Sequence, residues 1–194
     1  MTRPRLLLHI CCAPDEAWVV KTLKDNYQLH CFFSNPNIDD RDEYFHRCNE
    51  ARKVADFYNV EFSEDDYKPQ LWEQCVAEVL HTPEGGERCR MCFYLRLSRT
   101  ASFCSSIGWS DFTTVMSISP HKNIRDLNAI GTECAKQKGI NYHCYDFKKK
   151  DGFRNSILLS KELSLYRQDY CGCRLSRVES KARTNAKVQM ISKV

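Results

Sequence analysis

Cysteine is the residue whose placement in this chain could do chemistry. Three motifs bring thiols close together: Cys11-Cys12, Cys89-x-x-Cys92 and Cys171-Gly-Cys173. The chain holds 12 cysteines in 194 residues, more than an average intracellular protein of this length uses. In a small secreted domain they would suggest a disulfide framework, but this length buries a core without staples. In a reducing compartment clustered thiols bind metal or carry electrons. We read the three motifs as a multi-metal, iron–sulfur redox site.

Each motif also has a plainer alternative. The Cys89-x-x-Cys92 pair falls at the expected start of a helix, where the positive end of the dipole lowers thiol pKa and supports ligation. Zinc, a redox dithiol and an iron–sulfur cluster all fit such a pair. Successive strand residues face opposite ways, so Cys11 and Cys12 share one site only where the strand is ending and turning. Without that turn they are buried fillers. Cys171-Gly-Cys173 fits a metal, a strained and easily reduced disulfide, or an ordinary turn of two thiols. Asp15 lies one turn beyond Cys12 and is either a hard ligand to the same site or a helix cap. His9 is expected to pack beside the first strand without a ligand role.

These residues must be positioned by an alternation of strands and helices. Strands are expected at Arg5–Cys12, Gln28–Ser34, Asn59–Phe62, Phe112–Ser119 and Ile140–Phe147. Between them, helical spacing joins Ala17 to Leu23, Tyr44 to Tyr58, Leu71 to Leu80, Arg88 to about Gly108 and Ile124 to Lys138. A last helix is expected over about Ser160–Asp169. The pattern predicts an α/β fold, a doubly wound and mostly parallel sheet in a single domain. Ligands of such sheets gather beyond the carboxyl ends of the strands, which is where Cys11 and Cys12 fall. Two loops at that edge offer polar groups to a substrate, Ser34-Asn35-Pro-Asn37 and Ser117-Ile-Ser119-Pro-His-Lys122-Asn123, and both sequences also suit plain turns. We take Asn35, Ser119, Lys122 and Asn123 as substrate-binding candidates.

The net charge of +4 hides an asymmetry. From Lys148 onward there are 12 Lys/Arg against 4 Asp/Glu, a net +8, so the preceding 147 residues carry −4. A basic terminal segment on an acidic body suits a polyanion such as RNA, or is a solvated tail. No apolar run approaches the ~20 residues of a membrane span. The short apolar run near Met1 ends in cysteines rather than a small-residue cleavage site, so it reads as a buried strand and the protein as cytoplasmic, without a membrane partner.

Taken in order, His9-Ile-Cys-Cys-Ala-Pro, Phe33-Ser-Asn-Pro-Asn-Ile38, Glu43-Tyr44, Glu87-Arg-Cys-Arg-Met-Cys-Phe93, Ser117-Ile-Ser-Pro-His-Lys-Asn123 and Tyr170-Cys-Gly-Cys173 resemble the QueH-type epoxyqueuosine reductases. The resemblance runs to about Ser176. It implies a HUP-like (Rossmann-like) catalytic domain over residues 1–176, followed by a basic C-terminal tail, 177–194. It also implies removal of the epoxide oxygen of epoxyqueuosine in the tRNA anticodon loop, the last step of queuosine biosynthesis, without cobalamin. Carried over by motif, Cys11, Cys12, Cys89 and Cys92 would hold a [4Fe-4S] cluster. Cys171 and Cys173 would be the redox-active pair; Asp15, where the chain departs from the family pattern, is our own catalytic candidate, either ligating a further metal or helping to deliver the proton. The family commonly reads Cys-Cys-Ala-Pro-Cys, and Asp15 replaces the last thiol here. That leaves room for an additional mononuclear iron or other metal near Asp15.

Epoxide deoxygenation needs two electrons, a Lewis acid for the departing oxygen and a proton, so an electron donor is an implied partner. Two other functions compete. An ATP-dependent tRNA thiolase would need a Gly- and Ser-rich loop after the first strand, and Cys-Cys-Ala-Pro-Asp-Glu has no glycine and two acids there. A zinc-stabilised RNA-binding module would use the same thiols without turnover.

Overall fold

The computed structural model describes residues 2–191, with side chains through residue 185. Five strands, β1 (Arg5–Ile10), β2 (Gln28–Phe33), β3 (Glu61–Glu64), β4 (Asp111–Thr114) and β5 (Asn141–Tyr142), form one sheet in the order β3-β2-β1-β4-β5. Every pairing is parallel. Seven α-helices accompany them: α1 (Ala13–Leu23), α2 (Arg41–Phe57), α3 (Pro69–Val76), α4 (Glu87–Ser106), α5 (Ile124–Lys138), α6 (Gly152–Glu162) and α7 (Arg174–Ile191).

Strand β1 lies at the centre, and its run of apolar residues is explained by burial on both faces. Leu6, Leu8 and Ile10 enter one core with Val19, Val20 and Tyr44 from α1 and α2. Leu7 enters the other core with Phe93 and Leu97 of α4 and Leu127 of α5. The sheet is thus covered on both sides, the doubly wound α/β arrangement expected from the sequence.

The β1–β2 register runs from Arg5↔Gln28 to Ile10↔Phe33, and β1–β4 from Leu7↔Phe112 to His9↔Thr114. These three strands therefore end together. His9 ties their ends: its Nδ1 accepts from the Thr114 hydroxyl at 2.8 Å and its Nε2–H donates to the Ser34 carbonyl at 3.1 Å. Burial, then Arg96, holds its pKa well below the ordinary histidine value, so the ring is the neutral tautomer those two bonds require.

Several element boundaries differ from expectation for local reasons. The strand expected to reach Ser119 stops at Thr114, whose hydroxyl accepts from the Met116 amide and caps a 3₁₀ turn over Val115–Ile118. The expected Ile140–Phe147 strand pairs only over Asn141–Tyr142. The short strand lies at Glu61–Glu64, after Asn59 leaves α2 at φ +53°. The helix expected over Ser160–Asp169 lies earlier, at α6. The stretch expected as a basic tail from residue 177 continues α7 through Ile191.

Helix α6 starts where it does because of a tight turn. Lys150 and Asp151 are left-handed at φ +53° and +58°, and a Cβ on Gly152 would stand 1.8 Å from the Phe147 carbonyl oxygen. No side chain fits there without moving the backbone. Gly152→Ala should therefore cost about 2–3 kcal/mol. Thermal unfolding monitored by circular dichroism should record a drop of several degrees, and an unchanged Tm would contradict this account of the turn.

Candidate metal centre and substrate cavity

The three chain segments that carry paired thiols meet at the carboxyl edge of the sheet. Cys11 and Cys12 follow β1 directly, and Cys12 is the N-cap residue of α1 in extended geometry. Cys89 and Cys92 occupy the first turns of α4. Cys173 immediately precedes α7, and the Ser176 amide donates to its Sγ at 3.4 Å. Three helix N-termini thus stand behind thiols, which favours their anionic, ligating form.

The thiols fall into two groups. Cys11, Cys12 and Asp15 offer ligand atoms that all lie within 4.8 Å of one another. Cys11 Sγ is 3.8 Å from Cys12 Sγ and 3.4 Å from Asp15 Oδ2. Asp15 stands in the first turn of α1, and its Oδ2 accepts from the Cys11 thiol. The hydrogen bond to Cys12, then burial, pushes Cys11 well up, and burial raises Asp15.

The second group is Cys89, Cys92, Cys171 and Cys173, which line a small cavity with Trp72 and Phe93. Burial raises Cys89 and pushes Cys92 up to about 12. Cys171 goes the other way. Burial opposes its thiolate, but Lys122 and Arg96 outweigh burial, and its pKa ends below the ordinary thiol value. Lys122 Nζ donates to Cys171 Sγ at 2.9 Å.

This grouping differs from the division carried over by motif, in which Cys11, Cys12, Cys89 and Cys92 stood together. Cys171 explains the difference: it lines both the small cavity and a larger one that contains Cys11 and Cys12. The Cys171-Gly-Cys173 loop is drawn in by α2 and the turn after β2. Arg47 donates to the carbonyls of Cys171 and Tyr170 at 3.3 and 3.5 Å, and Asn37 Nδ2 donates to Cys171 at 3.5 Å. Gly172 sits at φ +128°, where a Cβ would come within 2.9 Å of both Asn37 and Ile38. Cys171 and Cys173 are both free thiols.

The larger cavity has a volume of about 600 Å³. Its walls include Cys11, Cys12, Asp15, Arg96, Ser119, Lys122, Phe153, Arg167, Tyr170 and Cys171, with Ser180, Arg183 and Thr184 from α7. Of the four substrate-binding candidates, Ser119 and Lys122 line this cavity. Asn35 and Asn123 do not. Asn35 is buried and donates to the Ile10 carbonyl at 3.0 Å, while Asn123 Oδ1 accepts from the Arg125 and Asp126 amides as the cap of α5. Sequence reasoning missed Arg96, Arg167 and Phe153. Arg96 alone left a signal, since it follows Cys92 by four residues and so stands on the same helix face.

A Rossmann-like α/β sheet with clustered soft thiols and one carboxylate at its carboxyl edge defines the class: a protein of HUP-like fold with a metal-competent thiol centre. Two solved structures share that fold. A U34-tRNA thiolase from Methanococcus maripaludis, with its [4Fe-4S] cluster, aligns with TM-score 0.58 at 12% identity over 96% of this chain and 67% of its own. A predicted tRNA methyltransferase subunit from Methanocaldococcus jannaschii aligns with TM-score 0.54 at 12% identity over 79% of this chain and 74% of its own. Sequence relatives go further. The epoxyqueuosine reductase QueH of Streptococcus pyogenes is 37% identical over 88% of this chain and 69% of its own length. That of Thermotoga maritima is 33% identical over 90% and 91%. The family model for epoxyqueuosine reductase QueH matches residues 6–179, and the chain belongs to that family.

The Lys122–Cys171 pair can be tested in metal-free protein. Replacing Lys122 with Met removes the charge that holds the thiolate, so the Cys171 pKa should rise. The pH profile of iodoacetamide labelling at Cys171, followed by mass spectrometry, should move to higher pH. A profile that stays in place would mean that the ion pair does not set the reactivity of this thiol.

Proposed function

We propose that this chain is an oxidoreductase that removes the epoxide oxygen of epoxyqueuosine in tRNA, the last step of queuosine biosynthesis. Membership of the family carries the proposal. The reaction breaks both C–O bonds of the epoxide and leaves an alkene. It takes up two electrons and two protons and releases the oxygen as water. The electrons come from an external one-electron donor.

The donor sets fit two kinds of metal group. Four thiols around one cavity, Cys89, Cys92, Cys171 and Cys173, suit a [4Fe-4S] cluster. Two thiols and a carboxylate, Cys11, Cys12 and Asp15, suit a single ion with an open position. The cluster-bearing tRNA thiolase has the same fold, which supports iron–sulfur chemistry over zinc. When bound, such groups supply single electrons and a Lewis acid for the departing oxygen. In this division Cys171 and Cys173 are ligands rather than a disulfide pair. The chain's own residues do the rest. Lys122 and Arg96 hold positive charge beside the thiols, Ser119 offers a hydroxyl, and Phe153 and Tyr170 give aromatic walls to the larger cavity.

RNA as the partner is supported by the rim of that cavity. Lys148 Nζ donates to the Lys122 carbonyl at 3.2 Å, which places the Lys148–Gly152 turn beside it. Lys149, Lys150 and Arg154 are exposed there. Basic α7 contributes the opposite wall, so the catalytic unit and the basic C-terminal segment share one cavity. Among the described residues no helix is long and apolar enough to cross a membrane. Free cysteines throughout suit a reducing compartment such as cytoplasm.

Anaerobic reconstitution followed by an assay on epoxyqueuosine-containing tRNA with a chemical reductant tests the whole proposal. Cys92→Ala should abolish the cluster's absorbance, its sulfide content and turnover. Cys11→Ala should keep sulfide, lose about one iron per chain, and lose at least ~100-fold in rate. Sulfide lost from Cys11→Ala but retained in Cys92→Ala would reverse the division of ligands. Turnover by a metal-free protein would refute metal chemistry altogether.

The rim carries its own expectation. Reversing Lys149, Lys150 and Arg154 to Glu should raise KM for tRNA at least ~10-fold while leaving iron and sulfide content untouched. The salt dependence of binding should flatten by about 0.7–0.9 in log–log slope per lost phosphate contact. An unaltered slope would place the RNA elsewhere.

A further inference from the structure

Arg96 has a place in the site that no motif accounts for. It is 1% exposed, one helical turn beyond Cys92 on α4, and it faces the larger cavity together with Cys11, Cys12 and Cys171. Its Nη2 donates to Asn35 Oδ1. Asn35 in turn donates to the carbonyl of Ile10, the residue just before Cys11. The guanidinium is therefore latched at one end to the strand that delivers the first thiol group. At its other end it rides on the helix that delivers the second. Its Nε is buried without a hydrogen-bond partner. A buried donor costs free energy unless something nearby compensates it, and the groups that surround this one are thiols.

Among the described residues no carboxylate pairs with Arg96. Glu43 is taken by Arg47 and Asp65 by Arg99, and Asp15 faces Cys11. Arg96 lines the larger cavity with Cys11, Cys12 and Cys171, and ionised thiols at Cys92, Cys11 and Cys171, one on each of the three thiol segments, are the groups that favour its charge. An unpaired cation this deeply buried is expensive unless anions are brought to it. Ligated thiolates are such anions.

Resting on the cluster reading above, we propose that Arg96 is a positioning residue that acts as the shared counter-cation of the two thiol groups and raises the reduction potential of the cluster. A fixed positive charge favours the more negative, reduced form of a neighbouring metal group. The step it assists is the one-electron reduction of the oxidised cluster by the low-potential external donor. Arg96 neither gives nor takes a proton in that step. It lowers the free energy of the added charge. Its attachment to both segments means that the same guanidinium also fixes the distance between the two groups.

The test is an anaerobic redox titration of the reconstituted protein, with the reduced cluster followed by electron paramagnetic resonance. Iron and sulfide content are measured in each variant. Arg96→Gln should bind the added electron at least ~10-fold more weakly, a fall of about 59 mV for a one-electron couple. Arg96→Lys keeps the charge and should stay within about threefold of the parent. Asn35→Asp sets a carboxylate against Arg96 and cancels its charge without removing the side chain, so it should lower the potential as Arg96→Gln does. It also keeps the inference testable if Arg96→Gln fails to fold. Parent-like potentials in Arg96→Gln and Asn35→Asp, at full metal content, would overturn the inference and leave the cluster reading standing. Loss of iron and sulfide in both variants would make Arg96 a ligand-holding residue and overturn it equally. A parent protein that takes up no iron and sulfide would overturn the cluster reading, and this inference with it.

Discussion

Burying thiolates and a carboxylate at one edge of a sheet is electrostatically costly, and that cost explains much of the surrounding structure. An ionised group moved into a low-dielectric interior loses hydration that only nearby positive charge or protonation can replace. In the metal-free chain protonation does part of the work: the Cys11, Cys92 and Asp15 pKa values are all raised. The rest falls to permanent positive charge. Lys122 and Arg96 are drawn in among the thiols, and the first turns of α1, α4 and α7 point at them. Metal binding then exchanges protons for cations, so affinity at such a site must rise with pH through the thiol range.

The sheet supplies the geometry. Because β1, β2 and β4 are parallel and end in register, their loops emerge side by side at one edge. His9 locks that edge from beneath through Thr114 and Ser34, which is why a histidine beside two thiols does not compete to be a ligand. The turn after β2 has a structural task. Asn37 and the neighbouring Arg47 hold the carbonyls of the Cys171 loop, and Asp39 and Asp40 hold Arg177 on α7. This turn thereby fastens the last thiol segment of the chain to the first half of the fold.

The order of strands and helices was legible in the sequence because β1 is apolar on both faces and the helices carry clean spacing. The carboxyl-edge location of Cys11 and Cys12 followed from that order. The edges of the elements were less legible. Thr114 ends β4 by a side-chain bond to Met116, and α6 begins at Gly152 because of a steric contact with Phe147, a residue five positions earlier whose approach no propensity reports. Helix α7 was hidden because its Lys and Arg content suited a solvated tail equally well. At the site, the thiols themselves were legible, since few other patterns bring cysteines so close. Their partition was not. It depends on where Arg47 and Asn37 pull the Cys171 loop, which is a tertiary fact with no local signature.

That partition has a chemical consequence. Removing an epoxide oxygen requires electrons to arrive at carbon while the oxygen leaves as an acceptor of protons. A site that mixed both tasks on one set of ligands would place the added negative charge where the oxygen departs. In the proposed division the two thiol groups keep the tasks apart, and Cys171, which lines both cavities, keeps them adjacent. The carboxylate belongs with Cys11 and Cys12 for the same reason. Asp15 is a hard oxygen donor beside soft sulfur, and a hard donor suits an ion that must bind and release oxygen. A third thiol in its place would soften such an ion and weaken its grip on the departing oxygen. In the division of ligands proposed above, Asp15 rather than cysteine therefore bears on the oxygen-handling half of the site and not on the four thiols of the electron-handling half.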